Sequence, residues 1–288
     1  MCQVPSEEVR SDGSLTRNLE CGTWNLWPEP MRILFIGDVI GQPGREIVAS
    51  VLPRLAEEQN VDLVIANSEN LAGGFGVTPS VAEEMFALGV DVLTSGNHIW
   101  DKKEVEEYIT KERRLLRPAN YPEQAPGNGS LILEKGGCPV GVLNLQGRAF
   151  MPITDCPFRV GDREIGRLRR QTALIFVDFH GEATAEKQAF AWYVDGRVSA
   201  VIGSHTHVQT ADERILPEGT AYLTDAGMTG GRDSVIGMNI EGPIARFVTG
   251  LPKKFRPATG APQFCGVVVE IDERNGHATS IVRIQREP

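Results

Sequence analysis

Two histidines separated by one residue follow an apolar run in the last third of the chain. Residues 198–202 are typical of a buried strand, and residues 203–207 then read Gly-Ser-His-Thr-His. Neutral imidazole still offers a lone pair near pH 7, which makes histidine the commonest metal ligand. Open α/β folds place their chemistry in loops at the carboxyl edge of the sheet. The pair therefore predicts a metal site at a sheet edge.

Two of the other three histidines occupy equivalent positions in the sequence. His98 follows the apolar run 90–93, and His180 follows the run 173–179. The fifth, His277, lies in an Arg-Asn-Gly-His hairpin turn near the end of the chain, where we expect it to be exposed and without a role. Four of the five histidines thus come after strand-like runs, which favours a metal centre over unrelated core or surface histidines.

Further polar residues directly follow the predicted strands. A single aspartate in such a place is more often a turn or a helix cap, but a full set at successive strand ends has no comparable structural explanation. Carboxylates, amide oxygens and imidazoles together suit manganese, iron or zinc. The set exceeds what one ion needs, so it favours two ions, typically about 3.5–4 Å apart in phosphoester hydrolysis. The candidates are Asp38, Glu69, Asn70, Asn97, His98, His180, His205 and His207.

The first half of the chain alternates strand and helix signals, which would bring these strand ends to one edge. Repeated β-loop-α units predict a mainly parallel sheet with helices packed outside. Pro43 lies near the first turn of one predicted helix, and Thr78 can cap another. Strands are predicted at residues 33–36, 61–65 and 90–93, and helices at residues 43–58, 79–88 and 103–110.

The second half changes pattern. A Lys-Gly-Gly-Cys hairpin signal at 135–138 opens a second sheet. A long loop is predicted at 144–161, and a stretch rich in glycine and methionine at 227–242. Two sheets, each flanked by helices, predict one continuous domain over residues 31–288. Strands are predicted at 131–133, 140–145, 173–179, 198–202, near 215, and at 221–224, 265–271 and 278–284, with helices at 164–171 and 185–194.

Residues 1–30 lack both apolar periodicity and the pattern of a secretory signal. We expect them to be a dispensable extension, disordered or the product of a start assigned too far upstream. The alternative is a tail that docks through Trp24 and Trp27.

Net charge and composition indicate which partners the chain can bind and in which cellular compartment we expect it. A net charge of -9 argues against binding long nucleic acid, which needs a basic face, but permits a small anion at bound metals. The five cysteines are scattered without a C-x-x-C pair, as expected of reduced thiols in the cytoplasm. No apolar run approaches the roughly 18–20 residues that span a bilayer.

Five sequence blocks, taken in order, resemble the calcineurin-like metallophosphoesterases. Residues 31–287 as a whole are more closely similar to the bacterial YmdB family, whose members hydrolyse 2′,3′-cyclic nucleotides, and the similarity extends through residues 38–45 and 67–74. The resemblance implies an α/β fold, a calcineurin-like four-layer α/β/β/α sandwich of two mixed sheets flanked by helices. The blocks are Gly37-Asp38, Ser68-Glu69-Asn70, Gly96-Asn97-His98, His180 and the Gly-Ser-His-Thr-His segment.

The resemblance also implies a ligand set, with two departures from the broad superfamily. Ile40 stands where many members have a histidine, and Glu69 stands in place of the usual bridging aspartate; both features occur in the closer family. Asn70 could supply the missing coordination. By resemblance, one ion would be held by Asp38, Glu69, Asn70 and His207, and the other by Glu69, Asn97, His180 and His205.

This arrangement implies hydrolysis of a small phosphodiester, with in-line attack on phosphorus by a hydroxide that bridges the metals. A ribose alkoxide leaves poorly, so a proton donor would contribute about 10²–10⁴-fold. His98 is the candidate, because it adjoins Asn97 but is not needed for coordination; the alternative is an orienting residue beside the ligands. No substrate-binding residue is assigned: the glycine-rich loop 73–76, Arg148 and Phe150 are each as consistent with plain structural roles.

Several functional alternatives stay open. The same centre could serve a nucleotidase or another phosphodiesterase, including a nuclease for short RNA. A metal-dependent nucleotide-binding signalling protein is the rival from another class, but His98 favours catalysis because a binding module needs no proton donor. We expect two divalent ions, iron or manganese first with zinc or magnesium as alternatives, in a cytoplasmic homo-oligomer.

Overall fold

The computed structural model describes residues 30–288, so the extension predicted at residues 1–30 lies outside the described residues except for Pro30. The helices of this part are α1 (Gly41–Glu58), α2 (Pro79–Ala87), α3 (Val105–Lys111), α4 (Pro157–Leu168), α5 (Thr184–Tyr193) and α6 (Glu241–Thr249). The strands are β1 (Met31–Ile36), β2 (Asp38–Val39), β3 (Leu63–Asn67), β4 (Val92–Thr94), β5 (Ser130–Lys135), β6 (Cys138–Gln146), β7 (Leu174–His180), β8 (Ala200–Ser204), β9 (Arg214–Ile215), β10 (Ala221–Leu223), β11 (Met228–Gly231), β12 (Pro262–Ile271) and β13 (Ala278–Arg286).

The first sheet has the strand order β2-β11-β12-β1-β3-β4, with β13 paired to β12. Strands β1, β3 and β4 are parallel, as the alternating pattern predicts. The C-terminal strand β12 lies antiparallel beside β1, so this sheet is mixed and is not built from the first half of the chain alone.

The second sheet has the order β5-β6-β7-β8-β10-β9. Its four central strands are parallel, and the two edge strands run antiparallel to their neighbours. The predicted hairpin at residues 135–138 connects β5 to β6 and opens this sheet.

Within residues 30–288, the three largest apolar cores hold the layers together. Along β1, Ile33 and Phe35 face the second sheet while Leu34 and Ile36 face the helices, the two-residue alternation of a strand buried on both sides. Between the sheets, the rings of Phe35 and Phe176 lie 5.4 Å apart. Helices α1 to α3 cover the outer face of the first sheet, and α4 and α5 cover the second. The predicted four-layer sandwich of two mixed sheets is therefore confirmed.

The long loop predicted at residues 144–161 is shorter than expected, and the helix predicted at 164–171 begins earlier. Strand β6 continues through Gln146, and α4 already starts at Pro157. Proline suits the first helical turn because its φ is preset and its missing N–H is not needed there. The buried face of α4 is formed by Pro157, Val160, Gly161, Ile165 and Leu168.

The glycine- and methionine-rich stretch is more regular than the sequence indicates. It contributes β11, which pairs with both β2 and β12, and it leads into α6. Helix α6 escapes prediction because it does not bury an apolar stripe, and Pro243 is its one buried residue. Thr78 precedes α2 as predicted, but its hydroxyl lies 3.1 Å from Ser80 Oγ and does not cap the helix.

A buried ion pair joins α5 to the segment that follows β10. The Lys187 ammonium, fully buried, donates to Asp225 Oδ2 at 2.7 Å. The Asp225 carboxylate also accepts from the backbone N–H groups of Thr206 at 3.1 Å and Gly227 at 2.8 Å. The pair therefore fixes the histidine loop, residues 205–207, against the helix layer.

We expect Lys187→Ala to destabilise the fold strongly, because it leaves the Asp225 carboxylate buried without its cation. Breaking a buried pair in this way costs about 3–5 kcal/mol. Urea denaturation followed by circular dichroism measures the change. The matched control is Lys111→Ala, which removes an exposed pair with Glu107 and should leave the denaturation midpoint nearly unchanged. Equal losses in both variants would contradict this account of the pair.

Candidate metal centre

Two groups of potential metal ligands lie side by side and share one carboxylate. Glu69, His180 and His205 form the first group, and Asp38, Glu69 and His207 form the second. Within each group the ligand atoms all lie within 4.8 Å of one another. Glu69 belongs to both groups, as the resemblance implies for a bridging ligand.

Both sheets contribute to this centre from the carboxyl ends of their parallel strands. The first sheet supplies Asp38 after β1, Glu69 after β3 and Asn97 after β4. The second sheet supplies His180, the last residue of β7, and the histidine loop after β8. The two sheets face each other, so their strand ends bring together residues that are far apart in the sequence.

The group around His180 has the spacing of ligands on one cation. Its Nε2 lies 3.0 Å from His205 Nδ1, 3.1 Å from Glu69 Oε2 and 3.3 Å from Asn97 Oδ1. Ligand atoms at about 2.1 Å from one ion stand about 3.0 Å apart when they are neighbours in octahedral geometry. The distances fit a divalent ion held by these four side chains.

The other group contains two buried oxygen atoms that find no hydrogen-bond donor among the described residues. They are Asp38 Oδ1 and Asn70 Oδ1. Buried acceptors are almost always satisfied in proteins, so each points to a ligand that no protein atom replaces. Asn70 Nδ2 donates to Gly74 O at 2.9 Å, which leaves its oxygen as the free end of the amide. His207 Nδ1 lies 2.8 Å from the backbone oxygen of Ile236, which leaves Nε2 for coordination.

A buried hydrogen-bond network orients His180 from behind. Its Nδ1 lies 2.9 Å from Ser204 Oγ, and that hydroxyl donates to Asp178 Oδ1 at 2.6 Å. Asn67 and Thr94 both donate to Asp178 Oδ2. Such partners fix the ring orientation and increase the basicity of a ligating imidazole. This network is not predicted from the sequence, in which its one signal is Asp178, two residues before His180 and hence on the same face of β7.

Burial and the charges of neighbouring side chains shift the pKa values of the candidate ligands, upward for Asp38 and His180 and downward for Glu69 and His205. Burial raises the pKa of Asp38 to about 6, against the charges of His207 and His180. Burial also opposes ionisation of Glu69, but the charge and hydrogen bond of His180 outweigh it and lower the pKa to about 2. For His180, burial is outweighed by Glu69 and Asp38, and its pKa rises to about 9. Burial and the charge of His180 lower the pKa of His205 to about 3.

His98 stands at the edge of the centre with its side chain half-exposed. Its backbone N–H donates to Glu69 Oε2 at 3.2 Å, while its imidazole Nδ1 lies 2.8 Å from Asp101 Oδ2. The Phe75 ring packs edge-on against the imidazole at 5.1 Å. The imidazole is thus held by Asp101 and Phe75, with Nε2 as its remaining polar atom. Asp101 is a second residue whose role is not predicted from the sequence.

The other sequence candidates lie elsewhere or have structural partners. The loop 73–76 turns its polar groups inward, since Gly74 N donates to Asn70 O and Gly76 N to Glu69 O. Arg148 and Phe150 are exposed on the 147–156 loop and are not among the residues that line the cavity at the centre. His277 is exposed in the turn between β12 and β13, as predicted.

A cavity of about 520 Å³ opens onto the two ligand groups. Glu69, Asn70, His205 and His207 line the cavity, a set that we call its polar floor, and His98 lines it as well. This volume is within the range of small-molecule sites, about 300–1,000 Å³. The arrangement can therefore present a small ligand to both groups and to His98 together.

Comparison with known proteins assigns the chain to a family and places its fold. A family model described as YmdB-like protein matches residues 34–284. A 2′,3′-cyclic-nucleotide 2′-phosphodiesterase of Bacillus subtilis is 49% identical over 254 residues, which cover 88% of this chain and 96% of the relative.

Two solved structures extend the comparison. A hypothetical protein of Thermus thermophilus superposes with a TM-score of 0.85 at 43% identity, covering 90% of this chain and all of the other. A putative 5′-nucleotidase of Staphylococcus aureus superposes with a TM-score of 0.58 over 89% of this chain and 54% of the other. At 15% identity, the latter shares the fold alone.

We expect Gly96→Ala to weaken metal binding, because the added Cβ would lie 2.2 Å from His180 Nε2 and 2.4 Å from Glu69 Oε2. Displacing ligands by changing their surroundings typically costs about 10–100-fold in metal affinity. Manganese titration of the metal-depleted protein measures the affinity. Gly166→Ala is the control, since nothing lies within 4 Å of its added Cβ. Equal affinity in the two variants would contradict the crowded geometry at Gly96.

We expect metal binding at pH 7 to release protons, because a ligating imidazole must be neutral while the pKa of His180 is raised to about 9. Affinity should therefore increase as the pH rises from 7 towards 9. Calorimetric titration of manganese in two buffers with different ionisation enthalpies measures the number of protons released. Identical apparent enthalpies in the two buffers, corresponding to no release, would contradict the protonated state of His180.

Proposed function

This chain belongs to the YmdB-like family, and from that premise we propose that it is a metal-dependent phosphodiesterase that hydrolyses 2′,3′-cyclic nucleotides. One observation carries the proposal. Two ligand groups share Glu69 on the floor of a cavity of about 520 Å³, beside a histidine that neither group uses. Two adjacent ions are typical of phosphoester hydrolysis.

In the proposal, two divalent ions bind at the shared centre. Asp38, Glu69, Asn70 and His207 would hold one ion, and Glu69, Asn97, His180 and His205 the other. When bound, such ions lower the pKa of water and neutralise charge on the phosphate oxygens. We propose iron or manganese as the pair, because imidazole and carboxylate ligands together suit these borderline ions.

His98 is proposed to protonate the departing ribose oxygen through Nε2. Asp101 accepts a hydrogen bond from Nδ1 at 2.8 Å, which holds the ring and leaves Nε2 for the substrate. Phe75 packs on the ring and restricts its rotation. His98 also lines the cavity, so a substrate bound over the ligand groups lies within reach of the imidazole.

Charge and surface support the wider setting of the proposal. A net charge of -9 disfavours long nucleic acid, whereas bound divalent ions would reverse the local potential and admit a small anionic nucleotide. Cys138, Cys156 and Cys265 are free thiols, in keeping with the reducing cytoplasm, and no helix of residues 30–288 is long and apolar enough to cross a membrane. Phe150 and Ile153 are 91% and 99% exposed on one loop, which supports self-association into a homo-oligomer.

The function is tested by initial rates of the manganese-loaded protein on 2′,3′-cyclic AMP, 3′,5′-cyclic AMP and AMP. We expect multiple turnovers on the 2′,3′-cyclic compound, abolished in Asn97→Ala. Turnover on AMP alone would instead support a phosphomonoesterase. Tight nucleotide binding without turnover on any compound would support a signalling protein and contradict the proposal.

We expect His98→Ala to lose activity on 2′,3′-cyclic AMP by about 10²–10⁴-fold, the usual contribution of general acid catalysis, while bound manganese is unchanged. Rates and metal content are measured on the same preparations. Asp101→Asn should retain the metal and lose less activity, because it removes only the charge that supports the ring. Metal loss in proportion to activity loss in His98→Ala would contradict the proton-donor role.

A further inference from the structure

The cavity over the metal centre has one apolar wall. Besides the polar floor, six apolar side chains from the 73–76 loop and from residues 235–255 line the cavity, and none of them has a hydrogen-bond donor or acceptor. We call these residues the apolar wall: Phe75, Val235, Ile236, Met238, Phe247 and Phe255. Cavities that bind small molecules pair such surfaces with a few oriented polar groups.

The apolar wall is in direct contact with the metal centre. His207, a candidate ligand, hydrogen-bonds the backbone oxygen of Ile236 at 2.8 Å. Met238 packs with Ile40 and with Phe75 and Phe255 in one apolar cluster. These contacts fix the distance from the wall to the phosphate-binding floor, which suits a ligand with an apolar part and a phosphoester part.

Phe247 is the most solvent-exposed member of the apolar wall. It lines the cavity from α6 and is 84% exposed. Phe75, another member of the wall, packs edge-on against the His98 imidazole. Because Phe247 and His98 line the same cavity, one ligand can cover Phe247 with a flat aromatic group and present its ribose end to His98. Aromatic side chains bind nucleobases by this kind of stacking.

Arg246 adds a positive charge to the same surface. It lines the cavity, its guanidinium lies 5.6 Å from the centre of the Phe255 ring, and within residues 30–288 it pairs with no carboxylate. Arginine held on an aromatic ring can stack on a base or contact an anionic group of a nucleotide. Glu182 also lines the cavity, but its carboxylate lies 3.3 Å from His205 Nε2, whereas Arg246 is left for the ligand. The ligand favoured by this surface is therefore both aromatic and anionic.

We propose that the apolar wall is a nucleobase subsite in which the base stacks on Phe247, so that the protein accepts 2′,3′-cyclic nucleotides of all four bases. The inference rests on the proposed function and adds how its substrate is recognised. Stacking is tolerant of sequence because every base has a π-face. The wall residues themselves carry no side-chain group that could distinguish one base edge from another.

The test compares substrates with and without a base. The substrates are the four 2′,3′-cyclic nucleotides and methyl riboside 2′,3′-cyclic phosphate, which keeps the reacting phosphodiester but has no base. For the manganese-loaded Phe247→Ala variant we expect KM to rise by about 5- to 150-fold on all four nucleotides, with kcat unchanged. On the base-free substrate its kcat/KM should equal that of the unsubstituted protein.

Val248→Ala is the matched control, because it is the next residue of α6, is 78% exposed and does not line the cavity. Its kinetics on all five substrates should match the unsubstituted protein. Unchanged KM on the nucleotides in Phe247→Ala would overturn the proposal. So would an equal loss on the base-free substrate, or a loss shared with Val248→Ala and accompanied by dissociation into monomers, which would make α6 a contact between copies of the chain.

Binding of adenosine separates this inference from the proposed function. Calorimetric titration of metal-depleted protein with adenosine requires neither metal nor turnover. If the unsubstituted protein hydrolyses none of the five substrates, the proposed function fails. The subsite is still supported if Phe247→Ala binds adenosine about 5- to 150-fold more weakly, and it is overturned if Phe247→Ala and Val248→Ala bind adenosine equally.

Discussion

The burial of like charges in one small volume is the constraint on which the structure depends. Asp38 and Glu69 are at most 1% exposed, and His180 lies between them fully buried. Carboxylates removed from water are costly unless a cation or hydrogen bonds compensate them. In the protein alone, Glu69 and Asp38 raise the pKa of His180 to about 9 against its burial, so the imidazole holds a proton between the carboxylates. Burial raises the pKa of Asp38 to about 6, although the charges of His207 and His180 oppose this. A divalent cation favours the ionised carboxylates and neutral imidazole, so the centre is arranged for a charge that the chain itself does not supply.

The rest of the fold positions the ligands of that centre, first through the two sheets and then through buried contacts behind them. The sandwich brings the carboxyl ends of two sheets together, and neither sheet holds a complete ligand group by itself. Behind His180, the Asp178 network fixes the ring; behind the histidine loop, the Lys187–Asp225 pair fixes the backbone. His205, His207 and Ile236 adopt positive φ values of 101°, 64° and 45°. Backbone strain of this kind persists where the surroundings over-determine a conformation, as at functional sites. Here the positive φ values orient His205 and His207 towards the centre and place the backbone oxygen of Ile236, in the apolar wall, within hydrogen-bond distance of His207.

The sequence was sufficient for the parts of the site that follow from strand periodicity. Parallel strands end at one edge of a sheet, so polar residues that follow successive apolar runs are expected to lie close together, and Glu69, His180 and His205 do.

What could not be predicted depends on contacts between distant segments. Asp178 reads as a residue inside a strand, and its role appears only when Asn67 from the other sheet donates to it. Helix α6 shows no apolar stripe towards the core because its apolar residues face the cavity and solvent. Helix α4 begins before the predicted residue because Pro157, predicted to lie in the loop, occupies its first turn.

The most direct test of the central claim, that Glu69 joins two metal sites into one centre, is electron paramagnetic resonance of the protein carrying two equivalents of bound manganese. A carboxylate shared by two ions couples their electron spins. The account predicts the spectrum of an exchange-coupled manganese pair, replaced in Glu69→Gln by the spectrum of isolated ions or by loss of bound manganese. Two bound equivalents that give only the spectrum of isolated ions in the unsubstituted protein would contradict it.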